Sequence, residues 1–187
     1  MRWRRRLVPA EGGPAAGSGE PLASGPGTAL LGTLAVVVIA LDQVTKALVR
    51  MRLALHESVE IVPGLLDFTH VHNTGAAFGF LNSVDIPMKP VLMTAIALAA
   101  LVAIGLFAMR TGTDEPLTRV GLALVCGGAT GNLIDRVTAG HVVDFVDVHW
   151  MGWHFWTFNV ADSAITVGAC LLILEMVVLN RHVSTPV

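Results

Sequence analysis

Four runs of apolar residues, each long enough to cross a lipid bilayer, constrain this chain more than any other feature. They occupy Thr28–Val49, Pro90–Met109, Leu117 to about Arg136, and about Phe158 to Leu179. The second run holds 20 residues without a charge. At about 1.5 Å per residue, a helix of that length matches a hydrocarbon core about 30 Å thick. The sequence therefore predicts an all-α membrane domain with four transmembrane helices, spanning residues 28–180.

Composition agrees with an integral membrane domain and excludes several functions. Hydrophobic residues make up 53% of the chain and charged residues 14%, too apolar for an ordinary soluble domain of this size. A net charge of -2 provides no basic field, so nucleic acid is not an expected partner. Cys126 and Cys170 both lie within apolar runs, which favours small buried hydrophobic residues over a disulfide framework or a zinc site.

The ends of the chain and its basic residues predict a topology. Residues 1–27 are rich in Arg, Gly and Pro without apolar periodicity, which is typical of a disordered tail, and residues 181–187 form a second short tail. Four spans place both termini on one side. Seven basic residues near span ends belong to that side and five to the other. This excess predicts cytoplasmic termini, with loops 50–89 and 137–157 facing outward.

Both outer loops carry local signals. In the first, β-branched and aromatic residues around Pro63 and Gly64 predict a short hairpin or small sheet at the membrane surface. In the second, Trp150, Trp153 and Trp156 are amphipathic rings suited to the lipid headgroup layer.

Three of the four spans carry a polar stripe at the same, outer end. Residues sharing a helical face at i, i+3 and i+4 spacing are Asp42 and Lys46 on the first span, Asn132, Asp135 and Arg136 on the third, and Asn159, Asp162 and Ser163 on the fourth. A charge at bilayer depth costs at least about 2.5–3.5 kcal/mol, so such groups normally face a protein interior or a wet cavity. We expect the three stripes to converge on one site.

Several of these residues have a structural interpretation. Asp42 with Lys46, and Asp135 with Arg136, can neutralise each other and hold helices together, so we expect them to support a site rather than react. Asn132 and Asn159 are equally compatible with hydrogen bonding between helices and with substrate positioning.

Asp144 and Asp162 differ because residues 137–180 contain no Lys or Arg. Two carboxyl groups that approach closely in a poorly solvated site cannot both ionise. The resulting pair of one acid and one base suits an aspartyl peptidase, and a proton or cation relay is the main competing interpretation. If residues 142–150 are extended, Asp147 points away from Asp144, which indicates a solvated loop acid.

Metal and nucleotide sites are not expected. His70 and His72 form an H-x-H pair, and further histidines follow at positions 141, 149 and 154, but no HExxH or CxxC spacing accompanies them. Gly127, Gly128 and Gly131 follow no strand and precede no Lys-Ser or Lys-Thr, so close helix packing explains them better than a phosphate loop. We predict that the protein requires no cofactor.

Five sequence blocks resemble those of the lipoprotein signal peptidases, the type II signal peptidases of bacteria. They begin at Asp42 (DQVTK), Asn73 (NTGAAFG), Gly127 (GGATGNLIDR), Val142 (VVDFVD) and Phe158 (FNVADSAI). The blocks follow in the family's order over about residues 28–180. The Arg-rich tail lies outside the resemblance, and Phe155–Thr157 replace a segment in which many relatives have a proline.

The resemblance implies four helices with cytoplasmic termini in the bacterial cytoplasmic (inner) membrane, a small extracytoplasmic β-rich cradle from the first outer loop, and an aspartic dyad near the outer surface. By block, the dyad is Asp144 and Asp162. Such enzymes cut diacylglyceryl-modified prolipoproteins just before the lipidated cysteine, and no protein partner is expected besides the substrate and membrane lipid. The remaining matched positions would shape or support the site: Asp42, Lys46, Asn73, Gly75, Asn132, Asp135, Arg136 and Asn159.

Two other functions remain open from the sequence. A small proton-coupled transporter would use Asp42, Asp135 and Asp162 as a relay and tolerate Asp144→Asn. A non-enzymatic assembly factor would bind a partner through its outer loops and tolerate loss of both Asp144 and Asp162.

Overall fold

The computed structural model describes residues 26–75, 87–109 and 116–179. The predictions for the extreme ends of the chain fall largely on residues 1–25 and 180–187, outside this part. The described elements, in chain order, are α1 (Pro26–Arg52), β1 (Ser58–Val62), β2 (Leu66–Asn73), α2 (Lys89–Ala108), α3 (Pro116–Ala139), β3 (Val142–Trp150), β4 (Trp153–His154) and α4 (Val160–Leu174), which continues as a π-helical turn over Glu175–Leu179.

All four predicted spans are helices long and apolar enough to cross a membrane. α3 is the central helix, since it packs against α1, α2 and α4. Its glycines allow this: an added Cβ would lie 2.9 Å from the Ala35 carbonyl oxygen at Gly127 and 2.5 Å from Asp42 Oδ2 at Gly131, and at Gly128 it would overlap the Ala161 carbonyl. The predicted close packing through glycine is therefore confirmed.

A four-stranded antiparallel sheet in the order β1-β2-β3-β4 lies at one end of the helices. The predicted hairpin is β1–β2, and Gly64 turns it with a φ of 71° that suits glycine. The connection between α1 and α2 contributes β1 and β2, as predicted, and the connection between α3 and α4 adds β3 and β4 to the same sheet. Val143 and Phe145 of β3 pack against Val49 and thereby attach the sheet to the end of α1.

The connection between β3 and β4 exposes aromatic side chains. Met151 and Gly152 both have positive φ, forming a tight turn. Trp150 and Trp153 on either side are exposed, as is Trp156 just before α4. This exposure is consistent with the predicted contact with lipid headgroups.

Candidate active site

The first turn of α4 fixes the position of Asp162. Asn159 caps the helix, its side-chain oxygen accepting a hydrogen bond from the Asp162 backbone N–H at 2.9 Å, while Asp162 Oδ2 accepts from the Asn159 N–H at 3.3 Å. This reciprocal capping box follows directly from the sequence Asn-Val-Ala-Asp. The Asp162 carboxyl group therefore lies at the positive end of the helix dipole.

Asp144 reaches the same place from β3. Its strand is paired to β2 with Val71 opposite Asp144, and the side chain is 3% exposed. One carboxyl oxygen accepts from Asn73 Nδ2 at 2.9 Å and the other from Asn159 Nδ2 at 2.7 Å. Asn159 therefore caps the helix that carries one aspartate and hydrogen-bonds the other.

Asn132 on α3 completes the link between the two acids. Its Nδ2 donates to Asp162 Oδ1 at 2.8 Å, and its Oδ1 accepts from Asn159 Nδ2 at 3.2 Å. A continuous chain of hydrogen bonds thus runs from Asp144 through Asn159 and Asn132 to Asp162. The convergence of the polar stripes of α3 and α4, predicted from their spacing, is observed.

A second contact sets the orientation of the side-chain amides of Asn73, Asn132 and Asn159. Asn73 Oδ1 accepts from the Gly75 N–H at 2.9 Å, Asn159 Oδ1 from the Asp162 N–H, and Asn132 Oδ1 from Lys46 Nζ at 2.9 Å. Each oxygen is therefore occupied by an obligatory donor, so each NH₂ group must face a carboxyl oxygen. A proton on Asp144 cannot lie along either amide contact and must point elsewhere.

Cations contact neither of these acids in the described part of the chain, whose ion pairs all involve other carboxylates. Burial, reinforced by repulsion from Asp162, raises the pKa of Asp144 to about 7, although the hydrogen bonds from Asn73 and Asn159 and the charge of Lys46 oppose the shift. Asp144 is therefore placed to change protonation state near neutral pH.

A separate buried cluster of charges lies beneath this pair, between α1 and α3. Lys46 Nζ is 2.8 Å from Asp42 Oδ2 and 2.9 Å from Asp135 Oδ2, and all three side chains are 0–1% exposed. Arg50 adds a contact of 2.8 Å to Asp135 Oδ1. Asp42 Oδ1 also accepts from the Ala161 N–H at 3.0 Å, so this cluster contacts the first turn of α4. The predicted pairing of Asp42 with Lys46 is confirmed.

The predicted pairing of Asp135 with Arg136 was wrong. Asp135 pairs with Lys46 and Arg50, whereas Arg136 donates to the carbonyl oxygens of Gly75 at 3.2 Å and Asn132 at 3.3 Å. Consecutive residues on a helix point in different directions, so adjacency in sequence was a poor guide. Arg136 lies within electrostatic range of both Asp162 and Asp144.

Sequence reasoning missed two residues of the cluster. Arg50 follows Lys46 by four positions, so it continues the stripe of Asp42 and Lys46 along α1, and that spacing could have indicated it. Gln43 Nε2 donates to the Gly131 carbonyl at 3.1 Å and to Asp42 Oδ2 at 3.2 Å. Its only sequence signal was its place within the DQVTK block.

Two other acids of the sheet pair with histidines of the sheet. Asp147 was predicted to be a solvated loop acid, but it lies on β3, is partly buried and contacts His154 at 3.0 Å. Asp67 contacts His149 at 3.1 Å. His72 stacks on His141 with ring centroids 3.6 Å apart. Across the described ranges, no three His, Cys, Asp or Glu side chains are grouped to hold a metal ion.

Comparison with known proteins gives a consistent result. Residues 34–178 match the family model described as signal peptidase (SPase) II. The lipoprotein signal peptidase of Symbiobacterium thermophilum is 45% identical over 148 residues, covering 79% of this chain and 94% of that protein. The one from Geobacter metallireducens is 43% identical over 159 residues, covering 85% and 97%. Among solved structures, a bacterial membrane enzyme superposes with a TM-score of 0.72 at 32% identity, covering 85% of this chain and 93% of that one.

Proposed function

The chain belongs to the signal peptidase II family, and from that premise we propose that it is an intramembrane aspartyl endopeptidase with Asp144 and Asp162 as its catalytic dyad. Its substrates would be diacylglyceryl-modified prolipoproteins, cut just before the lipidated cysteine. The observation that carries this proposal is the pair of carboxyl groups, Asp144 buried and Asp162 partly buried, brought by β3 and α4 to one chain of amides and contacted by no cation among the described residues.

We assign the base to Asp162 and the acid to Asp144. Asp162 lies at a helix N-terminus with hydrogen-bond donors on both oxygens, which stabilises a carboxylate. It takes a proton from the attacking water. Asp144, whose pKa is raised to about 7, keeps its proton at pH values up to about neutral, supports the oxyanion and then protonates the leaving amine.

The fixed side-chain amides of Asn73 and Asn159 determine where the Asp144 proton can point. Asn73 and Asn159 each occupy one Asp144 oxygen with an NH₂ group that cannot turn around. The Asp144 proton therefore points away from both amides, towards the substrate carbonyl in this proposal. Asn73, Asn132 and Asn159 thus orient the dyad, while Arg136 ties Gly75 to α3 and supplies positive charge to the site.

The membrane arrangement fits such a substrate. A signal-peptide helix and a diacylglyceryl chain can both approach laterally through lipid, while the dyad lies where the helices meet the sheet and water is available. We place this end at the outer face of the bacterial cytoplasmic membrane, with cytoplasmic termini, because more of the basic residues near span ends belong to the terminal side.

Cleavage of a diacylated prolipoprotein by the purified protein tests the proposal. Wild type should release the signal peptide, and Asp144→Asn and Asp162→Asn should not, although both variants should insert and fold. Asp147→Asn is the matched control, because Asp147 lies on the same strand and pairs with His154 instead. Near wild-type cleavage by either dyad variant would contradict the mechanism.

The same variants test the alternatives. A transporter relay through Asp42 and Asp135 is disfavoured by geometry, because both carboxylates are held by Lys46 or Arg50. Ion-coupled flux that persists in Asp144→Asn would nevertheless support it. Normal function of both dyad variants, without any cleavage by wild type, would support an assembly factor.

A further inference from the structure

Arg50 lies at the outer end of α1, beyond the residues assigned above. We propose that it is a positioning residue for the dyad, holding Asp135 so that Asp135 fixes the β3 backbone beside Asp144. This inference rests on the proposed function. It assigns a role to a residue outside the sequence blocks that carry the family resemblance.

The contacts form a short path. Arg50 contacts Asp135 Oδ1 at 2.8 Å, and the other oxygen of the same carboxylate accepts the Val143 backbone N–H at 3.3 Å. Val143 is fully buried and directly precedes Asp144 in β3. Asp135 on α3 therefore contacts both α1 and β3, the strand that carries one member of the dyad. Arg50 makes the contact from α1.

Charge balance gives Arg50 a second effect. Asp42 and Asp135 carry two negative charges and Lys46 one positive charge, so the buried cluster is neutral only with Arg50. Lys46 also contacts Asn132, which donates to Asp162, so the cluster is one hydrogen-bonded residue away from the dyad. An uncompensated negative charge there would disfavour ionisation of nearby carboxyl groups.

Six charged or titratable side chains surround the dyad and Arg50. Those that act on the dyad or on Arg50 are Asp42, Lys46, Asp135, Arg136, His72 and His141. Arg50 differs from the buried members of this group because its side chain is 36% exposed, whereas Lys46 is 0% exposed. Replacing Arg50 therefore leaves no sealed cavity, and the variant should fold.

The test is the pH dependence of kcat/KM for the diacylated prolipoprotein, measured for full-length wild type, Arg50→Gln and Arg50→Lys. In Arg50→Gln, both limbs of the profile should shift to higher pH by about half a pH unit to one, because both dyad acids then ionise less readily. The ratio of variant to wild-type rate should consequently rise about 10- to 100-fold between acidic and alkaline pH. Lys retains the charge and should restore the wild-type profile.

Arg52→Gln is the matched control, since Arg52 ends the same helix and is exposed. Its profile should equal that of wild type. If Arg50→Gln has the wild-type profile, the inference is wrong. If it raises KM equally at every pH and Lys does not rescue it, Arg50 contacts substrate directly and the inference is also wrong. Either result leaves the proposed function intact if wild type cleaves and Asp144→Asn does not.

Discussion

Two pairs of aspartates lie next to each other in this protein, and their partners differ in kind. Asp162 is partly buried and the other three are buried. Asp42 and Asp135 are held by the cations of Lys46 and Arg50. Asp144 and Asp162 are held by the neutral amides of Asn73, Asn132 and Asn159. A cation fixes a carboxylate in its ionised form, whereas an amide orients it and leaves its protonation state free to change. This difference suits the first pair to stabilising the fold and the second pair to the proton transfer of the proposed function.

The largest expected effect is the loss of cleavage when either aspartate of the dyad is replaced. Asp144→Asn or Asp162→Asn should reduce cleavage by about 10²–10⁴-fold, the usual contribution of a general acid or base. Asp147→Asn should cleave like wild type. Loss of signal peptide from a diacylated prolipoprotein, resolved by gel electrophoresis, measures the difference. Equal losses in all three variants would mean that the assay reports on sheet integrity.

Lys46→Met should have its main effect on stability. It leaves Asp42 without its cation and Asp135 with only the more exposed Arg50, and breaking such a buried pair costs about 3–5 kcal/mol. Thermal unfolding in detergent should show a markedly lower Tm. Arg52→Met serves as the control and should unfold like wild type. An unchanged Tm for Lys46→Met would show that the cation-held pair has no structural role.

Gly131→Ala probes how closely α1 and α3 approach at the cluster. The new methyl group would lie 2.5 Å from Asp42 Oδ2, and such overpacking costs about 1–3 kcal/mol. Gly105→Ala on α2 is the matched control, because no atom lies within 4 Å of its added Cβ. It should leave the Tm unchanged or raise it slightly, since alanine favours the helix. A tolerated Gly131→Ala would mean that the two helices separate easily.

The smallest effect concerns pH. The active form proposed here has Asp162 ionised and Asp144 protonated, and the pKa of Asp144 is raised to about 7. As the pH rises through this value both acids become ionised, so kcat/KM should fall by about tenfold per pH unit above it. Asp147→Asn should have the same profile. A rate that stays constant well above pH 7 would reverse the assignment of acid and base.

Much of the fold could be predicted from the sequence, because a helix that crosses lipid must be apolar along most of its length. The four spans and the hairpin turning at Gly64 follow from local patterns, and so does the capping box of Asn159 and Asp162. Asp144 and Asp162 could be singled out because no basic residue accompanies them in the sequence.

What failed depended on contacts between distant segments. The partners of Asp135 lie on α1, some 85 residues away, and helix rotation rather than sequence spacing decides which side chains meet. The pairing of β2 with β3 likewise joins the α1–α2 connection to the α3–α4 connection, which no local signal links. Arg50 was therefore counted only as one of the five basic residues on the non-terminal side in the topology prediction, although it contacts Asp135 and completes the buried cluster.

The cap of α4 has a consequence for how such an enzyme comes into being. Asn159 caps the last helix, orients Asp162 and hydrogen-bonds Asp144. It also hydrogen-bonds Asn132, so its contacts form only when α3, β3 and α4 are all in place. A nascent protein whose final helix is still outside the bilayer has neither an oriented Asp162 nor a complete cradle for Asp144. In the proposed mechanism, proteolytic competence therefore requires the last helix to be in place.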